Sequence, residues 1–108
     1  MSDWYDLDDD HNVLGPFSTD EYLARAANRD PLWRQVARSE VGEVKVSTVF
    51  LALDHGWEAG AAPVVFETMI FGGAHSDDQW RCSTWAEAEA QHTAAVALVE
   101  AGGKGDDS

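Results

Sequence analysis

The chain has 108 residues, 44% of them hydrophobic and 10% aromatic, with only three prolines; this suits one folded domain with a single core and excludes a disordered chain. Its formal net charge of −13 repels nucleic acid and anionic lipid and attracts basic protein surfaces, so direct nucleic-acid binding is disfavoured. No apolar run, Val49 to Leu53 included, is nearly long enough to span a bilayer, Met1-Ser2-Asp3-Trp4 has no signal-peptide pattern, and the lone Cys82 forbids an intramolecular disulfide, so a cytoplasmic, membrane-free location is expected.

Trp4-Tyr5-Asp6-Leu7 reads as a short strand, Asp8 to Asn12 as a turn, and Val13 to Phe17 as the returning strand of an N-terminal hairpin. Ser18 and Glu21 have capping-box spacing, and Tyr22, Leu23, Ala26 and Ala27 recur at helical intervals until Asp30-Pro31, which predicts a helix over about 18–29. Residues 32–41 fit either a helix end or a strand. Val44, Val46, Thr48 and Phe50 then alternate, and β-branched enrichment makes Glu43 to Asp54 a strand whose second half is buried on both faces.

Residues 55–62 contain two glycines and no apolar period, so they read as a connection to Pro63 and a second strand over 64–71. The two long strands are expected to be antiparallel neighbours, with Gly72-Gly73 turning the chain toward a short third strand over Gln79 to Ser83. Thr84 and Glu87 repeat the capping box, and an alanine-rich helix over 84–101 follows, stopped by Gly102-Gly103. Trp85, Ala88, His92, Ala95, Val96 and Val99 share one face of that helix, the stripe that must lie on the sheet. The expected architecture is therefore α+β: a small antiparallel sheet covered by the C-terminal helix, with the N-terminal hairpin and helix packed at an edge, in a single domain over 1–102 followed by a flexible acidic tail over 103–108.

Charge is spread unevenly. Residues 1–21 hold seven acids and no base, residues 22–45 hold five bases against three acids, and residues 46–108 hold ten acids against Arg81 and Lys104. The undiluted acids Asp6, Asp8, Asp9 and Asp10 are the leading candidates for meeting a basic partner from outside the core. Of five tryptophans, at 4, 33, 57, 80 and 85, Trp4 beside this arm and Trp57 in the connection are the best candidates for exposed binding anchors.

Asp54 and His55 close the main strand, Glu67 sits among apolar neighbours in the next, and His92 lies on the helix stripe. Converging, they could form an acid–base pair or a zinc site. The plainer alternative has Glu67 solvated or paired with Arg34 or Arg38, Asp54-His55 capping a strand end, and His92 as a hydrogen-bonded core residue. No ligand spacing such as His-Glu-x-x-His occurs, and no metal or other cofactor is expected. Cys82 has no paired base and reads as a small hydrophobe, and Ser47 and Thr48 lack a nucleophile-elbow context.

Val46-Ser47-Thr48-Val49-Phe50-Leu51-Ala52-Leu53-Asp54-His55, then Pro63-Val64-Val65-Phe66-Glu67-Thr68-Met69-Ile70-Phe71-Gly72-Gly73, then Ser83-Thr84-Trp85, Glu87, Ala88 and His92 resemble a widespread family of small phage and prophage proteins of unknown function. That family often has glycine where this chain has Ala52, and tyrosine where it has Cys82. The resemblance implies a phage setting and carries no catalytic residues. Separately, Trp4-Tyr5 with Gly15-Pro16-Phe17-Ser18 is similar to the opening of GYF-type domains, but the rest of that pattern is absent and the likeness is set aside. Three readings follow: an acidic protein that binds a host or phage protein, as a nucleic-acid mimic or an inhibitor of a defence or nucleic-acid-handling protein; a small metal-binding or hydrolytic domain; and an accessory virion component.

Overall fold

The computed structural model describes residues 3–30, 32–54 and 62–105. Strands β1 (Trp4–Leu7) and β2 (Val13–Phe17) form an antiparallel hairpin. Helix α1 (Thr19–Ala26) follows at once, with Ser18 as its N-cap: Ser18 Oγ accepts from Glu21 N, and the Glu21 carboxylate accepts from Ser18 N. The capping box read from the sequence thus fixes where this short helix begins, satisfying donors the first turn would otherwise leave bare.

The main sheet has four antiparallel strands in sequential order: β3 (Gln35–Val41), β4 (Val44–Phe50), β5 (Phe66–Phe71) and β6 (Gln79–Cys82). On β4 and β5 the pairs Val46 with Ile70, Thr48 with Thr68 and Phe50 with Phe66 point to one face and are buried, as period-two alternation requires. The ambiguous stretch 32–41 resolves as strand β3. Its register shifts between Gln35 and Ala37, and such a bulge disrupts the alternation by which a strand is recognised. Gly72 and Gly73 have φ of 93° and 74°, conformations open to glycine at no steric cost in the turn leading to β6.

The main strand is shorter than expected. It ends at Phe50, and Ala52, fully buried, has φ of 67°. This left-handed residue turns the chain out of the sheet, so that Leu53 bridges to Trp4 and Tyr5 N donates to Ala52 O. Leu51 and Leu53 are accordingly half-buried rather than enclosed on both faces. The hairpin is therefore joined to the end of a central strand. Gly15 has no room for a side chain there: a Cβ would lie 2.8 Å from Trp4 O and 2.9 Å from the Tyr5 ring.

Helix α2 (Trp85–Gly105) lies on the buried face of the sheet, where Ala88, His92, Ala95 and Val99 of the expected stripe are buried and Trp85 and Val96 half-buried. Its start is capped as expected, with Thr84 Oγ1 accepting from Glu87 N and the Glu87 carboxylate from Ser83 N and Thr84 N. It does not stop at Gly102-Gly103 but runs to Gly105, taking in half of the expected tail; an interior glycine weakens a helix by only about 1 kcal/mol. None of the described helices is long and apolar enough to cross a membrane.

The interior divides in two. One cluster holds Leu7, Tyr22, Phe50, Ala52, Val65, Phe66, Cys82 and Ala88, ringed by Trp4, Trp33 and Trp85; the other holds Val46, Ile70, Ala95 and Val99.

Candidate functional site

The acidic arm departs most from its expected role. Asp6 is 1% exposed, because it lies beneath two arginines, Arg25 in the last turn of α1 and Arg29 just beyond the helix end. Arg25 Nε donates to Asp6 Oδ2 at 2.6 Å, and Arg29 donates to both carboxylate oxygens at 2.8 Å. Asp6 is thus the anchor that ties hairpin to helix, and its expected position outside the core is corrected. Asp8 holds the turn, its carboxylate accepting from Asp10 N, Asn12 N and Asn12 Nδ2; these bonds, the Asn12 backbone foremost, keep its carboxyl below the ordinary range. Asp9 and Asp10 are exposed.

The turn does not project freely. His11, with φ of 65°, stacks on Trp85 with ring centroids 3.8 Å apart. A cleft of about 470 Å³ lies between turn and helix start, lined by Asp10, His11, Asn12, Thr84 and Trp85 among others.

Trp4, expected as an exposed anchor, is half-buried; it stacks on Tyr22 at 4.4 Å and donates to Thr19 Oγ1. Trp57 and His55 lie outside the described residues. Trp80, which was not singled out, is 36% exposed on edge strand β6 beside Leu98, also 36%. Above that edge Gln91 Nε2 donates to Arg81 O, while Gln91 Oε1 is buried with no hydrogen-bond partner.

Among the described members of the acid–base set, Glu67 and His92 are not brought together. Glu67 neighbours Thr68 on β5 and so points to the opposite face from His92. Its partner is Arg81, at 2.9 Å, and neither Arg34, which donates to Tyr22 Oη, nor Arg38. Asp54 Oδ1 accepts from Val64 N and fastens the chain just before β5. Among the described residues, no three His, Cys, Asp or Glu side chains gather as a metal site. Cys82 is buried, and desolvation followed by the nearby Glu87 charge raises its thiol pKa, away from the reactive thiolate.

His92 belongs instead to a polar chain beneath α2. Its Nδ1 lies 2.8 Å from Thr48 Oγ1, which lies 2.7 Å from Thr68 Oγ1; its Nε2 lies 2.9 Å from Ser39 Oγ. Burial lowers its pKa below the ordinary 6.5, so the ring is neutral at neutral pH. The core reading of the imidazole is the one that matches its placement, but sequence reasoning missed its partners Ser39 and Thr48, and Thr68 behind Thr48. The alternation placing Thr48 on the core face was the only signal for any of them.

The surface carries the remaining chemistry. Four of the seven basic residues are spent internally, Arg25 and Arg29 on Asp6, Arg81 on Glu67, and Arg34 on Tyr22 and over the Trp33 ring. Arg38 and Lys45 are exposed, while Asp9, Asp10, Asp20, Glu21, Asp77, Asp78, Glu89 and Glu100 face solvent. No known protein family, curated protein or solved structure matches this chain.

Proposed function

We propose that this chain acts by binding a protein partner with a basic surface, and that it does so as a nucleic-acid mimic or inhibitor in the phage setting its sequence resembles. The observation that carries this reading is the one-sided use of charge. Arginines are drawn into contacts with Asp6, Tyr22 and Glu67, while most described acids keep exposed carboxylates. A surface so arranged attracts cations over about a Debye length, and its attraction is shortened by salt. Asp9 and Asp10 are the contact residues that survive from the expected arm; Asp6 is structural.

The test is capture of partners from host extract by wild-type protein and by an Asp9→Asn, Asp10→Asn double variant. Capture should weaken steeply between 0.1 and 1 M salt, as screening shortens from about 10 Å to about 3 Å, and the variant should associate more slowly. A partner with an acidic surface, or capture indifferent to salt, overturns the reading.

A further inference from the structure

The hydrogens in the chain beneath α2 can be counted. Each hydroxyl carries one, and a neutral imidazole carries one on a single ring nitrogen. Thr68 is fully buried, and its Oγ1 has one hydrogen-bond partner among the described residues, Thr48 Oγ1. Its hydrogen therefore goes to Thr48, because a buried donor without an acceptor is costly. Thr48, also fully buried, then has His92 Nδ1 as the acceptor for its own hydrogen. With Nδ1 accepting, the ring hydrogen sits on Nε2 and is donated to Ser39 Oγ. Ser39, half-buried on edge strand β3, turns its hydrogen outward.

We propose that the Thr68–Thr48–His92–Ser39 chain is a one-way relay that holds His92 as its Nε2–H tautomer and acts as an acid-sensitive latch between α2 and the sheet. Protonated histidine donates from both nitrogens. Thr48 would then receive from Nδ1, and either its own hydrogen or that of Thr68 would be left buried with no acceptor. The same direction disqualifies Ser39 as a nucleophile, since it receives a hydrogen from the ring instead of giving one up.

Among the described residues, no charge near the ring competes with this accounting. The strands around it present Ser39, Val46, Thr48 and Thr68, whereas Arg38 and Glu40 on β3, Lys45 on β4, Glu67 on β5 and Arg81 on β6 alternate to the other face. On α2, Glu87 is spent on the cap, and Glu89 and Glu100 are exposed. The lowered proton affinity of His92 has burial as its cause.

Above the ordinary histidine range, both docked and undocked helix hold a neutral ring and the latch is intact. As pH falls below about 6.5, the undocked ring takes up a proton that the docked ring refuses, so undocking gains up to tenfold per pH unit for the one proton involved. Long-range proton–nitrogen NMR of the imidazole at pH 7.5 should show the hydrogen on Nε2; a hydrogen on Nδ1 overturns the relay. In wild-type protein between pH 7.5 and 5.5, amide-exchange protection corrected for intrinsic rates should fall more for Ala88 to Val99 than for the β1–β2 hairpin. Uniform loss, or none, overturns the latch. His92→Gln, where folded, should flatten the urea midpoint over that range; a slope equal to wild type also overturns it.

Discussion

The two halves of the interior are built from different materials. At one end, rings from six elements or their flanks meet in sequence, Trp4 on Tyr22, Tyr22 by Trp33, Trp33 by Phe50, Phe50 by Phe66, and Phe66 by Trp85. At the other, two sheet residues, Val46 and Ile70, meet two small helix residues, Ala95 and Val99. The hairpin and α1 reinforce the aromatic end only. The lesson is that α2 is held unevenly along its length, with His92 at the join.

Substitutions should show this gradient. Phe50→Ala removes a buried ring that contacts two others and should cost about 3–5 kcal/mol, read from urea melts. Ile70→Ala at the aliphatic end should cost about 2–4 kcal/mol, and its exchange signature should be confined to the second half of α2. Equal spread of the damage along the helix would show one continuous core.

Asp6→Asn comes next. It takes charge from a buried group whose two arginines remain partly exposed and can be resolvated, so about 2 kcal/mol is expected. Loosening should appear first between hairpin and α1, as lost protection of β1 amides. Thr84→Ala should cost about 1 kcal/mol through the lost cap, fraying the start of α2 next to the His11 stack. Smallest in stability is the pair Asp9→Asn, Asp10→Asn, which should leave the melt unchanged while altering association with a basic partner; a destabilised fold would show that the turn depends on more than Asp8.

Legibility in the sequence followed the range of the interactions. Both capping boxes, the alternation of β4 and the stripe of α2 are set by residues close to one another in sequence, and all could be read. Asp6 was misread because a run of acids normally faces water, and only arginines 19 and 23 residues away reveal that it does not. The polar chain that holds His92 draws on three strands, up to 53 residues distant, and Ser and Thr are too common on strands to signal a network. At Ala52 a left-handed backbone ended the strand although the side-chain pattern continued.

The same separations have a meaning in time. A chain leaving the ribosome can close the Asp6 clamp once Arg29 has emerged, because the enclosed loops, of 19 and 23 residues, are short and their closure entropy small. The seat of α2 needs all four strands of the main sheet, from Gln35 to Cys82. A truncated product ending before Trp85 would therefore keep the clamp, but would present the apolar face of β4 and β5, with Val46, Phe50, Phe66 and Ile70 uncovered.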